Sequence, residues 1–582
     1  MLYPVWWKNG KEKVDLTTMA FDNNTSIPEI CRRLLALKGL KENQEIADFL
    51  YPKLKDLPKP ELMKGLSDAT QLIEEYLENS LQIVIWGDYD VDGTTSTGLL
   101  VNFFRELGVE VLYHIPNRLT EGYGLNIEWF TKNRDTFTSK KFLLITVDCG
   151  IANREEVQQI QRLDGEVIVT DHHSIPLEGL PDCIVLNPSQ VDCGFHRDKL
   201  AGVGVAFYLA AGIRSKLSLS SKYSHIAPTI NLKKYLGFVA LGTVADLVYL
   251  TTTNRILVRA GLESLEETPF IGLSSLLESC ELFGGQITSE DIGYLLGPKI
   301  NAAGRLGDSE IALKLFTARS AVEAQKAVAS LEHLNSKRKT ICDDDLEMAL
   351  SSCSRNLIVQ SFSCVCSGDF HLGVAGIVAS RLVEAFRVPS IVFAEYPDQS
   401  GEQYLKGSVR SIDGISVIAA LNDCSDLIVK YGGHDMAAGL TILQKDLDEF
   451  RKYFSKSLKR QRAEMADKKS ITTAFETSVD QVMDNKTLEC LHCFEPYGPG
   501  NDAPVFSARS SKVIQARTVG RLNSHLNIVV RGEYSNYKGI GFNLGEKISE
   551  VQENPERTIY FVPTKNRYRG TVSWQLRVVD LL

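Results

Sequence analysis

The stretch Leu81-Gln-Ile-Val-Ile-Trp-Gly-Asp-Tyr-Asp-Val-Asp-Gly93 sets the terms for the rest of the chain. Its Ile, Val and Trp residues predict a buried strand that empties at Gly87 into a loop carrying Asp88, Asp90 and Asp92. If strand geometry continues past Gly87, the alternate spacing points all three carboxylates the same way. Like charges that close do not stay ionised without a cation between them, so a metal site is the first expectation. Asp-x-Asp-x-Asp-Gly also opens a calcium-binding EF-hand loop, but the acid that loop needs at its twelfth position falls on Leu99, and a strand precedes it where a helix should.

Beyond Leu81, strand and helix signals alternate: strand 81–86, a helix from about 94 to 107, strands 109–115 and 142–147, helix 154–163 and strand 167–170. That pattern predicts an α/β fold with a parallel sheet, and such sheets gather ligands at the carboxyl ends of their strands. The polar residues stand there: Asp90 and Asp92 after one strand, Asp148 after another, Asp171-His172-His173 after a third. Asp246 is a further acid, in the otherwise apolar run Leu241-Gly-Thr-Val-Ala-Asp-Leu247, and is costly to bury without a cation or a donor. Carboxylates mixed with imidazole suit manganese, whereas an all-oxygen set leaves magnesium equally placed.

A chain of 582 residues is too long for one hydrophobic core, so several domains are expected. Its net charge of -9 argues against coating nucleic acid by bulk electrostatics and leaves room for a local basic groove. The 12 cysteines show no disulfide framework, several lie in apolar runs (Cys149, Cys183, Cys364), and such usage fits a reducing compartment. Cys490-x-x-Cys493, with no second pair at zinc-finger spacing, reads as two ordinary thiols. The N-terminus lacks a basic start with a long apolar segment, and no 18-residue apolar run occurs, so a soluble cytoplasmic protein without a membrane partner is expected. Residues 1–80 carry helical patterning and a Pro/Lys-rich patch and are assigned no chemistry.

The motifs Gly-Asp-Tyr-Asp-Val-Asp-Gly, Val-Asp-Cys-Gly, Asp-His-His and Gly-Thr-Val-Ala-Asp resemble the signatures of the DHH phosphoesterase superfamily. Their order, the length, and the later Gly297-Pro-Lys-Ile-Asn-Ala-Ala-Gly-Arg305 and Gly432-Gly-His-Asp-Met-Ala-Ala-Gly439 are similar to the RecJ exonucleases within it. The resemblance implies an N-terminal extension (1–78), a parallel-sheet DHH catalytic core (79–308), a long connecting helix (309–350), an α/β DHH-associated substrate-binding domain (351–460), and a C-terminal β-barrel of the OB-fold type (470–582). It implies two divalent ions, manganese preferred and magnesium possible, with Asp90, Asp92, Asp148, His172 and Asp246 as ligands and Asp148 placed to bridge. His173 would lie beside the ions. Several relatives carry a histidine at the position of Trp86, which cannot ligate, so Asp88 is a candidate substitute.

In the predicted second lobe, Gly373–Arg381 starts a helix, a strand covers 389–394, and the glycines of Gly407-Ser-Val-Arg410 and Gly432-Gly433-His434 expose backbone donors, with Arg410 and His434, to a phosphate. The reading assigns Arg305 to the reacting phosphate, with Asn301 assisting. Ser408, Arg410, Gly433 and His434, with Arg118 as a second guanidinium, go to a terminal phosphate. Arg451–Lys469 is a basic segment read equally as a contact for nucleic acid or as a solvated helix face. From about Ser470 the pattern alternates, with Val572, Trp574, Leu576 and Val578 on one face, and predicts small antiparallel strands. The turn Lys565-Asn-Arg-Tyr-Arg569 interleaves charge with an aromatic ring, as a groove for single strands would. The expected activity is hydrolysis of single-stranded DNA from the 5′ end in recombination and repair, with a helicase and a single-strand-binding protein as candidate partners. The alternatives are a phosphodiesterase of short oligonucleotides or a non-catalytic DNA-binding scaffold; the intact acids speak against the scaffold.

Overall fold

In the computed structural model, which describes residues 27–195, 198–282, 287–397, 402–465, 474–520, 523–568 and 571–582, the apolar run after Leu81 is the second strand of a parallel sheet. Strands β1 (Gln82–Gly87), β2 (Leu112–His114), β3 (Phe142–Val147), β4 (Gly165–Thr170) and β5 (Ile184–Leu186) pair in the order β2-β1-β3-β4-β5, every pair parallel. The order reverses between β1 and β3, and a crevice opens at the carboxyl ends of two such strands. Asp88 follows β1 and Asp148 follows β3. The inner strands are buried on both faces, which is why they read as continuous apolar runs. One face is covered by the helices Val91–Glu106, Gly202–Leu217 and Leu236–Ala245, contributing Phe103, Phe104, Tyr208 and Phe238; the other holds Trp86, Phe130, Phe142 and Ile160.

Strand geometry stops at Gly87. The helix begins at Val91, earlier than the expected 94, because the Asp90 carboxylate caps it by accepting from the Gly93 amide at 3.0 Å. A strand-to-helix turn therefore gathers the three acids; alternation along a strand does not. β2 is shorter than expected, and β5 was not anticipated. The helix expected over 309–350 is two, Glu310–Phe316 and Ala321–Ser352, with a break where the Ser320 side chain accepts from the Glu323 amide and starts the second.

The second lobe is a mixed sheet of β6 (Cys364–Gly368), β7 (Ser390–Pro397), β8 (Gln403–Arg410), β9 (Lys430–Gly433) and β10 (Ala437–Leu443), ordered β6-β7-β8-β10-β9, with only β6–β7 parallel. Gly407-Ser-Val-Arg410, expected to expose backbone donors, lies inside β8, whose backbone pairs with β7 and β10. The basic segment belongs to the helix Leu447–Met465, which buries Phe450, Phe454 and Leu458; Lys468 and Lys469 lie outside the described residues.

The last region comprises β11 (Phe475–Glu476), β12 (Phe506–Val519), β13 (His525–Arg531), β14 (Asn536–Gly541), β15 (Glu556–Tyr568) and β16 (Thr571–Leu581). β15 returns to pair with β12 and closes a five-stranded barrel. The expected strands were antiparallel, but an odd number closed into a ring forces a parallel pair, and β14–β16 is that pair. Leu576 and Val578 are buried in the barrel while Val572, further along the hairpin, is exposed. Lys565–Tyr568 is no turn: it extends β15 against β16, and Arg569 lies outside the described residues. Arg567 reaches Asp291 at 3.3 Å and Arg577 reaches Glu290 at 3.0 Å, so this hairpin grips the first lobe through a segment that the sequence pattern assigns to DNA.

The helices Glu29–Leu37 and Asn43–Leu50 join the core of this barrel through Cys31, Leu34, Leu35, Ile46 and Leu50. No helix among the described residues is long and apolar enough to cross a membrane. Arg255 ties three parts together: it donates to the carbonyls of Phe49 at 2.9 and 3.0 Å, Cys493 at 3.2 Å and Phe494 at 3.0 Å, and only 5% of it is exposed. Arg255→Met keeps the apolar stem and strands these carbonyls, and is expected to cost about 3 kcal/mol. Thermal melting with limited proteolysis of residues 484–505 checks this; an unchanged melting temperature would mean the docking runs through other contacts.

Candidate metal centre

Three loops bring the acids together. Asp92, in the first turn of its helix, accepts from the amides of Gly202 at 2.6 Å and Val203 at 2.8 Å, so two helix starts meet at one carboxylate. Asp148 takes a left-handed backbone, φ 61, at the end of β3, and Gly202 lies so close that an added Cβ would be 2.6 Å from the Asp148 Cβ. Gly93 is required in the same way, because a Cβ there would sit 2.5 Å from the Asp88 amide nitrogen.

The ligand atoms fall into overlapping groups, each spanning no more than 4.8 Å: Asp88, Asp90 and Asp148; Asp92, His172 and Asp246; Asp148, His172 and His173. The Nε2 of His172 is 3.1 Å from Asp148, 3.5 Å from Asp246 and 3.7 Å from Asp92. Its Nε2 is buried without a hydrogen-bond partner and lies among the acids, where a ligand atom would be. Burial lowers the His172 pKa to about 4 and keeps the ring neutral, as a metal ligand must be. Burial and the neighbouring Asp90 push Asp92 up to about 7; burial and Asp92 push Asp246 up to about 8. Asp88 and Asp148 are raised well above the carboxylate range for the same reasons.

The Oδ1 atoms of Asp88 and Asp148 and the Nε2 of His172 are buried without hydrogen-bond partners. Orphaned acceptors in a set of oxygens and one imidazole fit a hard or borderline divalent cation, so the residues present suit manganese or magnesium. Trp86 takes no part: it is fully buried in the other face, donates to the Gly124 carbonyl at 3.2 Å and stacks on Phe130, while Asp88 completes the group with Asp90 and Asp148.

Sequence reasoning placed Asp171 at a strand end and gave it no role of its own. It is fully buried, accepts from the amides of Ile151, His172 and His173, and holds the His173 ring at 2.8 Å. Burial opposes charging His173, but the Asp171 pair outweighs it and raises the pKa to about 9. Its position at the end of β4, with apolar residues before it, was the signal.

Across from the acids, Arg305 ends the helix Gly297–Arg305, with Asn301 one turn before it, and donates to the Gly373 carbonyl of the second lobe at 3.3 Å. Burial, then Arg118, Arg410 and Arg338, lower its pKa to about 10, so four guanidiniums share one neighbourhood. Among the described residues none of Arg118, Arg305 or Arg410 makes an ion pair. Arg118 lies over the Tyr89 ring at 5.2 Å. Arg410 donates to Ser408 Oγ at 3.1 Å, and both pack at Gly376 in the first turn of the helix Ala375–Phe386, where a Cβ would meet them at 2.6 and 2.9 Å. Gly433 has φ 143 and no room for a Cβ; His434 is exposed in the adjoining turn, and Ala437, at the far end of that turn, pairs with Arg410. Arg338 was missed, since nothing in its local spacing distinguishes it from a surface arginine.

A parallel sheet whose switch point holds an acid-imidazole cluster is the architecture of a DHH phosphoesterase, and the model of the DHH family, N-terminal domain, matches residues 82–243. The DHHA1 domain matches residues 355–460 and the RecJ OB domain residues 475–580. The single-stranded-DNA-specific exonuclease RecJ of Dickeya dadantii is 34% identical over 571 residues, 96% of each chain. Crystal structures of RecJ from Thermus thermophilus superpose with a TM-score of 0.75 for the Mn2+ complex (29% identity, 96% of this chain and 76% of that one) and 0.69 for the Mg2+ complex (28%, 95% and 74%). The chain belongs to the RecJ family of exonucleases.

The metal-free protein should lose stability as pH rises from about 6.5 to 9. Asp92, Asp246 and His173 have folded-state pKa values above their unfolded ones, so the folded state binds more protons in that window and the stability they contribute is lost through it. Manganese should remove most of this slope by replacing the protons. Melting temperatures with chelator and with Mn2+ across that range check it; a metal-free profile that is flat or rising would contradict the assigned environment.

Proposed function

We propose that the chain is a metal-dependent exonuclease that degrades single-stranded DNA in the 5′-to-3′ direction, in DNA repair and recombination. One observation carries the reading: overlapping groups of carboxylate and imidazole ligand atoms meet at Asp148 and His172, and Arg118, Arg305 and Arg410 share one neighbourhood with no ion pair among the described residues. Two divalent ions, manganese in preference and magnesium as the alternative, would be held by Asp88, Asp90 and Asp148 on one side and Asp92, Asp148, His172 and Asp246 on the other. Bound there, such ions activate water and neutralise phosphate charge.

His173, kept protonated by Asp171, stands beside the ligands and gives a proton or hydrogen bond to the leaving or non-bridging oxygen. The planar fork of Arg305 pins the reacting phosphate, with Asn301 assisting from the same helix face. Arg118, Ser408, Arg410, the Gly433 amide and His434 read the extra charge of a terminal 5′ phosphate. The barrel holds the strand behind that end, as such folds do by tracking phosphates and stacking bases. A helicase that opens duplex and a protein that coats single strands are the proposed partners.

Asp148→Ala should reduce manganese-dependent cleavage below detection while the protein stays folded by circular dichroism; turnover at the wild-type rate would refute the ligand assignment. Arg410→Ala should slow degradation of 5′-phosphorylated single strands about tenfold or more and that of 5′-hydroxyl strands far less. Paired oligonucleotides labelled at either end read both preference and polarity. Equal loss on both, or shortening from the 3′ end, would remove this lobe from recognition of the 5′ terminus.

A further inference from the structure

Away from the acidic centre, three thiols converge where the long helix meets the second lobe. Cys353 follows the last residue of Ala321–Ser352, and Cys364 and Cys366 stand two apart on the edge strand β6, so their side chains leave one face. The sulfurs are 3.0 Å apart for Cys353–Cys366, 3.4 Å for Cys353–Cys364 and 3.8 Å for Cys364–Cys366. Thiolates around one tetrahedral cation at ~2.3 Å stand about 3.8 Å apart, the separation of Cys364 and Cys366, and Cys353 lies within that distance of both. A disulfide joins two sulfurs and leaves the third without a role.

The circle through the three sulfurs has a radius of about 2.0 Å, derived from those separations. A cation at the zinc–thiolate distance of ~2.3 Å would therefore sit just above their plane, with one tetrahedral corner open. Cys364 and Cys366 are buried and Cys353 is half-buried, which gives that corner a side for water. Among the described residues no carboxylate or imidazole joins the group. An all-sulfur set selects zinc or copper(I) over the manganese and magnesium that suit the acids. Arg451, which also holds the exposed Asp448, donates to the Val365 carbonyl at 3.3 Å and extends its charge to Cys353. Three thiolates around a dication leave a single negative charge, and around copper(I) two; one nearby guanidinium matches the first.

We propose that Cys353, Cys364 and Cys366 form a second, structural metal site that takes one zinc ion and pins the end of the connecting helix to the edge of the second lobe. Cobalt(II) is the probe, because thiolate-to-cobalt charge transfer absorbs strongly in the near ultraviolet and the oxygen-imidazole centre has no such band. Added to the full-length, reduced, metal-free protein, cobalt should produce that band at one equivalent. Zinc should displace it and manganese should not. It should survive Asp148→Ala and vanish in Cys353→Ser, a half-buried position chosen to spare the core, and in Cys364→Ala. Zinc should raise the melting temperature of Asp148→Ala and leave that of the Asp148→Ala, Cys353→Ser double variant unmoved. Absence of the band in the wild type, its persistence in both cysteine variants, or a Cys353–Cys366 disulfide found by mass spectrometry in protein kept under reductant would overturn the site. Tighter binding of copper(I) than of zinc would overturn the choice of metal.

Discussion

The fold is arranged around a repulsion. Five aspartates and a neutral histidine are packed at the reversal point of a parallel sheet, where burial and mutual repulsion raise Asp88, Asp92, Asp148 and Asp246 above the carboxylate range. Three features of the polypeptide hold them there: the tight turn from β1 into a helix, the left-handed Asp148, and the amides of Gly202 and Val203 under Asp92. Each is backbone geometry, which does not relax when charge accumulates. A site preorganised in this way loses its electrostatic frustration when cations arrive, and the gain is realised as affinity.

Positive charge gathers from three parts of the chain: Arg118 and Arg305 of the first lobe, Arg338 of the connecting helix and Arg410 of the second lobe. Arg305 belongs to the first lobe by sequence yet donates to Gly373 of the second, so the guanidinium proposed to hold the reacting phosphate lies where the lobes meet. Guanidiniums that have no acid partner and are partly desolvated bind an oxyanion more strongly than exposed ones, because less water has to be removed.

Much of this was legible in the sequence. The DxDxDG loop, Asp148, the Asp-His-His run and Asp246 stood at strand or helix ends, where local pattern and chemistry coincide. For the first of them the residues do come together but the geometry differs, since a cap at Asp90 begins the helix early and alternation never operates. Asp88 was legible as a substitute ligand only because Trp86 cannot ligate. What stayed hidden was tertiary. Arg338 lies mid-helix, the three thiols are separated by ten residues and by one, and the parity of a closed five-stranded ring is invisible in any single strand. Lys565–Arg569 misled for a related reason: charge and aromatic residues look alike whether they face solvent or another domain.

That last contact changes how the barrel should be pictured. Arg567 and Arg577 grip Asp291 and Glu290, and from Ser289 the chain runs without interruption through helical turns to Arg305. The hairpin and the guanidinium assigned to the reacting phosphate are thus two ends of one short rod, while Arg255 and the N-terminal helices fasten the barrel from another side. A barrel held this way is a fixed ruler, unlike a bead on a tether. For a strand lying on both the barrel and the cleft, as proposed, the length that spans them is set by the helical run from Ser289 to Arg305.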